Sequence, residues 1–129
     1  MKKVLVVDDD VDVIKLVSVL VERSGYKAIV AKNGVEGMDK VREDKPDLII
    51  LDILMPKESG IRMYRELKTD EPSKDIPVVI LSAIAKRSFF RSQKVLDEFA
   101  GQSVPEPEAY IEKPEEPEEL IELMMKILG

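Results

Sequence analysis

The chain has 129 residues, which is room for one domain at the usual size of roughly 100 to 200 residues. Its 26 acidic and 20 basic residues give a formal charge of -6, which argues against binding nucleic acid through its phosphates, while 36% charged and 44% hydrophobic residues describe an ordinary globular fold. The absence of Cys and His excludes disulfides, thiolate and imidazole metal sites, cysteine nucleophiles and imidazole bases, leaving carboxylates, Lys, Ser and Tyr to do any chemistry.

After two lysines comes the apolar run Val4 to Val7, which stops in Asp8, Asp9 and Asp10 with no small-residue cleavage site, so it reads as a buried strand and not as a signal peptide. Residues 11–23 follow as an amphipathic helix carrying Val13, Ile14, Leu16, Val17, Leu20 and Val21, with Gly25 placed to end it. Lys27 to Ala31 is a shorter strand candidate. Residues 35–43 form a second helical pattern with Val35, Met38 and Val41, closed by Pro46. Leu48 to Leu51 is another uninterrupted apolar run, ending in Asp52, and a third helix over 61–68 carries Met63, Tyr64 and Leu67. Val78 to Leu81 repeats the strand pattern and ends in Ser82. Residues 87–100 are the weakest helical pattern, with Phe89, Phe90, Val95, Leu96 and Phe99 on a charged background, and Gly101 to Glu108 is irregular. Ala109 to Ile111 would be the last strand, and residues 117–128 the last helix, with Leu120, Ile121, Met124, Ile127 and Leu128. No stretch approaches the roughly 18 to 20 apolar residues of a membrane span, so a cytoplasmic location is expected.

Apolar runs without polar alternation are typical of strands covered on both faces by helices, as in a parallel sheet. Five strands alternating with five helices then call for right-handed crossovers and an open, doubly wound α/β sheet across residues 1–129, with ligands expected beyond the carboxyl ends of the strands. Those ends carry Asp8, Asp9, Asp52, Ser82 and Lys113.

Carboxylates gathered at one sheet edge repel, so protons or a cation must offset them. With no His or Cys available, a hard divalent cation held by oxygen ligands fits, and Mg²⁺ typically takes one or two carboxylates plus phosphate oxygens. The plainer reading has Asp8 to Asp10 capping the first helix, and it suits Asp10 best. Lys113 can place a point charge on a phosphoryl oxygen or lie solvated at the surface, and Ser82 can serve a ligand or satisfy a helix start. Their joint placement favours a site.

The segments Val-Val-Asp-Asp-Asp at 6–10, Leu-Asp-Ile-Leu-Met-Pro at 51–56 with Gly60, Leu-Ser-Ala at 81–83 and Tyr-Ile-Glu-Lys-Pro at 110–114 resemble the receiver domain of bacterial two-component response regulators along the whole chain. The resemblance implies a flavodoxin-like fold with strand order 2-1-3-4-5 and a phosphorylation-dependent signalling switch, not an enzyme acting on a separate substrate. It makes Asp52 the acceptor of a phosphoryl group from a sensor histidine kinase or phosphotransfer protein. Asp9, Asp52 and the backbone carbonyl of Leu54 would ligate Mg²⁺ directly, and Asp8 would act through water. Lys113 would pair with the phosphoryl group, Ser82 would hydrogen-bond to it, and Tyr110 would be the switch aromatic, although a tyrosine at that edge can also be simple filling. The Lys113–Pro114 bond would be cis. Leu54 and Ile84 would flank the approach of hydrolytic water, and both being apolar, the phosphorylated state would be long-lived. Gly60 is expected to supply a backbone angle that other residues avoid.

Two departures stand out from the family pattern. Ser82 replaces the commoner threonine, keeping the hydroxyl. The stretch from Ser82 to Lys113 is about nine residues longer than the resemblance suggests, and residues 86–108 are expected to set partner choice and not to add to the core. Output would pass to a downstream protein target or effector domain, with a phosphorylation-dependent homodimer as one route. A flavin carrier of the same architecture would need a Ser/Thr/Gly-rich phosphate loop after the first strand, where this chain has Asp8-Asp9-Asp10. An aspartate-nucleophile phosphatase would need a substrate pocket and a leaving-group acid. A receiver reduced to a docking module is disfavoured by the intact Asp8, Asp9, Asp52, Ser82 and Lys113.

Overall fold

In the computed structural model, which describes residues 1–56, 59–101, 103–113 and 116–129, strands and helices alternate without exception. The order is β1 (Lys3–Val7), α1 (Val11–Arg23), β2 (Lys27–Ala31), α2 (Gly34–Asp44), β3 (Leu48–Leu51), α3 (Ser59–Thr69), β4 (Val78–Ser82), α4 (Lys86–Ala100), β5 (Ala109–Glu112) and α5 (Pro117–Leu128). All strand pairs are parallel and the sheet order is β2-β1-β3-β4-β5, as expected. The register sets Val7 opposite Leu51, so Asp8 and Asp52 leave the sheet side by side.

The pleat divides the apolar runs between two cores. Leu5, Val7, Ile49, Leu51, Val78 and Ile80 face α2, α3 and α4 with Met38, Met63, Tyr64, Leu67 and Phe89. Val4, Val6, Leu48, Ile50, Val79 and Leu81 face α1 and α5 with Val17, Leu20, Met124 and Leu128. The central strands β1, β3 and β4 therefore need apolar residues on both faces, which is why their runs lack polar alternation, whereas the edge strands β2 and β5 keep exposed positions.

The helix ends follow local chemistry. Asp10 caps α1, its carboxylate accepting from the backbone N–H of Asp12 (2.9 Å) and Val13 (3.4 Å), and Gly25 with φ +91° turns the chain out of the helix. Asn33 caps α2 through the N–H of Glu36 at 2.8 Å. Three residues expected on buried stripes are exposed: Leu16, Val35 and Val95. A helix lying on a sheet buries one stripe, and Leu16 stands about 200° around α1 from Ile14, on the solvent side. Val35 lies in the first turn of α2, two residues after the Asn33 cap.

The 86–108 segment corrects an expectation, because it does contribute to the core. Phe89 is fully buried and Val104 packs against the same cluster. The Tyr64 hydroxyl donates to the carbonyl of Pro105, Arg65 pairs with Asp97 at 3.0 Å, and Asp97 accepts the Val104 N–H at 3.3 Å. At its end, Glu108 accepts the N–H of Val78 (2.6 Å) and the ammonium of buried Lys68 (3.3 Å). The loop after α4 is thus fastened to α3 and to the start of β4.

Candidate functional site

Asp8 and Asp52 are buried by the strands and loops around them, while Asp9, one residue further out, is exposed. One carboxylate oxygen from each of Asp8, Asp9 and Asp52 falls within 4.8 Å of the others, an arrangement able to hold a metal ion. Among the described residues this acidic group stands at the carboxyl edge of β1 and β3, where the strand order reverses direction. Asp10, by contrast, is spent on its cap.

Lys113 bridges the two buried carboxylates, its Nζ lying 2.9 Å from Asp8 Oδ2 and 3.3 Å from Asp52 Oδ2. The Lys113 backbone N–H donates to the carbonyl of Ser82 at 2.8 Å, which fixes where the side chain starts. Burial alone would lower the Lys113 pKa, but the Asp8 hydrogen bond and the Asp52 charge prevail and hold it above the usual value. The other oxygen of Asp8 accepts the N–H of Asp10 at 2.9 Å.

Asp52 is held from two sides. Its Oδ1 accepts the Leu54 N–H at 2.9 Å, folding the loop back over the carboxylate, and its Oδ2 faces Lys113. Burial raises its pKa; the Leu54 N–H, the Ser82 hydroxyl and Lys113 pull it down without cancelling that effect, and the charge of Asp8 adds to the rise. Leu54 itself turns its side chain outward, 56% exposed at the mouth of the site, whereas Ile84 is half-buried against the core.

Gly60 has a different role from the one expected. Its φ is not in the left-handed region, where only Gly25, Gly101 and Gly129 among the glycines lie. A Cβ there would sit 2.4 Å from the carbonyl oxygen of Asp52 and 2.5 Å from Ile53 Cα. The residue is small because the start of α3 packs directly on the acceptor's backbone.

Ser82 is fully buried, its Oγ accepting the Ile84 N–H at 3.3 Å. The Ile84 carbonyl in turn accepts the hydroxyl of Tyr110 at 2.6 Å. Tyr110 is half-buried, its ring against Phe89 (5.3 Å between centroids) and Phe90 (6.3 Å), and burial first and Glu112 second push its phenol up to about 12. Asp8, Asp9, Asp52, Ser82 and Lys113 therefore meet at this end of the sheet, with Tyr110 joined through Ile84, while the Lys113–Pro114 peptide bond lies outside the described residues. What the sequence reading missed is Phe89 as the packing partner of Tyr110, although the Phe89-Phe90 pair in a charged helix marked it.

The chain matches the response regulator receiver domain over residues 4–125. It is 35% identical to the polar-differentiation response regulator DivK of Brucella anthropi over 128 residues, which is 99% of this chain and 97% of that protein, and equally similar to DivK of Brucella ovis. Among solved structures, a putative response regulator from Chloroflexus aurantiacus superposes with a TM-score of 0.79 at 28% identity, covering 98% of this chain and 97% of that one. Chemotaxis protein CheY4 of Vibrio cholerae gives 0.78 at 25% identity and covers 98% of both chains.

Proposed function

Since the chain belongs to the response regulator receiver family, a family of phosphorylation-dependent signalling switches, we propose that Asp52 is its phosphoacceptor and that residues 1–129 work as one receiver unit. The observation that carries this reading is the meeting of the Asp8, Asp9 and Asp52 carboxylates with the Lys113 ammonium between two of them. Such transfer depends on positioning and charge stabilisation more than on acid–base chemistry, so the lack of His is no handicap.

An all-oxygen donor set suits a hard divalent ion. Asp9, Asp52 and the backbone carbonyl of Leu54 would hold Mg²⁺, with Asp8 reaching it through water. When bound, the ion supplies charge neutralisation for the carboxylates and the incoming phosphoryl oxygens. The remaining work falls to the chain. An Asp52 carboxylate oxygen attacks phosphorus, forming the acyl phosphate as the bond to the donor's imidazole nitrogen breaks and the electron pair leaves with that nitrogen. Lys113 turns from the carboxylates to the new phosphoryl oxygens, and the Ser82 hydroxyl donates to one of them.

In this reading a sensor histidine kinase or phosphotransfer protein is the donor, and the protein catalyses only its own phosphorylation and its slow loss. Output would pass to a downstream protein target or an effector domain, in the cytoplasm. Among the described residues no helix is long and apolar enough to cross a membrane.

Intact-mass spectrometry after acetyl phosphate with Mg²⁺ tests the assignment. One phosphoryl group is expected on the wild-type chain, none on Asp52→Asn and none in EDTA. Labelling that persists in either control defeats it.

A further inference from the structure

The fourth helix begins without a cap of its own. Asp10 and Asn33 cap α1 and α2 from the position just before each helix, but that position in α4 is Ala85, whose side chain has no acceptor to offer. The backbone of Ala85 is nevertheless extended, with φ −61° and ψ 137°, as a capping residue requires. The first turn contains no acidic residue and opens with Lys86 and Arg87, whose charges oppose the helix dipole. The missing acceptor comes from the end of β5, where Glu112 Oε1 takes the Lys86 N–H at 2.7 Å across 26 residues of sequence.

Only Ala83, Ile84 and Ala85 separate Lys86 from Ser82. The near end of that loop is tied to the acceptor, since the Ser82 hydroxyl reaches Asp52 and its Oγ takes the Ile84 N–H at 3.3 Å. The far end is tied to Glu112, which lies beside Ser82 in the sheet register and directly precedes Lys113. We propose that Glu112 is a positioning residue for phosphoryl acceptance: it caps α4 from β5 and so holds the 83–85 loop where the Ser82 hydroxyl stays aimed at Asp52. The inference rests on Asp52 being the phosphoacceptor.

The contact suits placement more than overall stability. Glu112 is exposed, so shortening it opens no cavity in the core. Its bond to a helix-terminal N–H is charge-assisted, which makes it a strong bond for a surface position. Lys86 contributes its backbone and not its charge, because its ammonium lies over the Phe90 ring at 5.9 Å. The first turn closes with the Phe89 N–H on the Ala85 carbonyl at 3.1 Å, so exchange of the Phe89 amide reports whether that turn frays. A loop of three residues has little slack, and fraying at Lys86 is passed on to Ser82.

Initial rates of acetyl phosphate labelling with Mg²⁺, read by intact mass, and amide exchange at Phe89 test this on the full chain. In Glu112→Ala, labelling should slow about 3- to 5-fold and Phe89 should exchange about 5-fold faster, the size of a typical lost cap. Glu112→Gln keeps an acceptor oxygen and should stay within about 2-fold of wild type in both measurements. Adding Ala85→Asp to Glu112→Ala supplies a cap from within the chain and should restore both, a rescue that an effect of the Glu112 charge on Lys113 would not give. Wild-type labelling in Glu112→Ala overturns the inference alone, as does labelling in Glu112→Gln as slow as in Glu112→Ala, or slow labelling that persists once Ala85→Asp has restored Phe89. Failure to label Asp52 in the wild-type chain overturns both this and the phosphoacceptor assignment.

Discussion

Replacing Gly60 with Ala should injure the acceptor more than the fold. The added methyl would lie 2.4 Å from the Asp52 carbonyl oxygen, 2.5 Å from Ile53 Cα and 2.9 Å from the Ile53 carbonyl carbon. Ordinary carbon contacts need about 3.5 to 4.0 Å, so the two backbones must part by roughly 1 Å. Overpacking of this kind costs about 1 to 3 kcal/mol, and the helix preference for Ala over Gly returns about 1 kcal/mol, leaving a net loss of about 0 to 2 kcal/mol. Because the displaced atoms carry the Asp52 carboxylate, the effect on transfer is larger: a misplacement near 1 Å costs on the order of 100-fold in rate. Gly25→Ala is the matched control, since φ is +91° there but nothing lies within 4 Å of the new methyl. It should lose about 1 kcal/mol through backbone strain and leave phosphorylation untouched. Urea melts give the stabilities, and initial rates of acetyl phosphate labelling give the transfer. Equal labelling rates in the two variants would refute the idea that Gly60 is small in order to position Asp52.

The raised pKa of Asp52 means that the folded state binds its proton more tightly than the unfolded chain does, so stability falls as pH rises from the ordinary carboxylate value through the folded one. In EDTA, Asp52→Asn should therefore be more stable than wild type at neutral pH, with the gain vanishing in acid; urea melts across pH that show no gain would contradict this. Adding Mg²⁺ at about 100 times its dissociation constant should stabilise the wild type by about 2.7 kcal/mol and the variant by much less, measured by the same melts. Removing Glu108 should hurt more than removing its partner, because Glu108→Ala leaves the buried ammonium without a counter-charge, held only by the Ile76 carbonyl, and orphans the Val78 N–H, while Lys68→Met frees a half-exposed carboxylate. A cost of about 3 kcal/mol against about 1 kcal/mol is expected, and equal midpoints in urea would count against it. The double change Leu54→Asn with Ile84→Glu should speed loss of phosphate by about 10-fold if about 1.4 kcal/mol of barrier lies in positioning the water. The decay of the phosphorylated mass after donor removal reports it, and an unchanged half-life would clear these residues of that role.

The central strands β1, β3 and β4 were legible because each needs apolar residues on both faces, and their ends were legible because Asp8, Asp52 and Ser82 stop the runs. Asp10 and Gly25 announced α1 through capping chemistry that is local in sequence. What stayed hidden depends on partners far along the chain. The exposure of Leu16 follows from which side of α1 the sheet covers, not from its neighbours in sequence. The Lys68–Glu108 pair spans 40 residues and the Tyr64–Pro105 bond 41, so a Pro-Glu-Pro-Glu loop that reads as solvated is in fact tied down. Gly60 was correctly marked but for the wrong cause, since close approach and unusual φ leave the same letter in a sequence.

The charge balance of the site suggests why the same residues serve both capture and signalling. Three carboxylates face one ammonium, an excess of negative charge that burial makes expensive and that a divalent cation is suited to offset. If Asp52 is the phosphoacceptor, as proposed, transfer replaces one negative charge by roughly two, placed further out on three strong acceptor oxygens. The nearest mobile donors are Lys113, now divided between Asp8 and Asp52, and the Ser82 hydroxyl. Lys113 can turn without disturbing the backbone, since its N–H stays on the Ser82 carbonyl. Ser82 cannot, because its Oγ also accepts the Ile84 N–H, whose carbonyl holds Tyr110. In the proposed reading, the lysine stabilises the product where it forms, and the serine carries the event away from it.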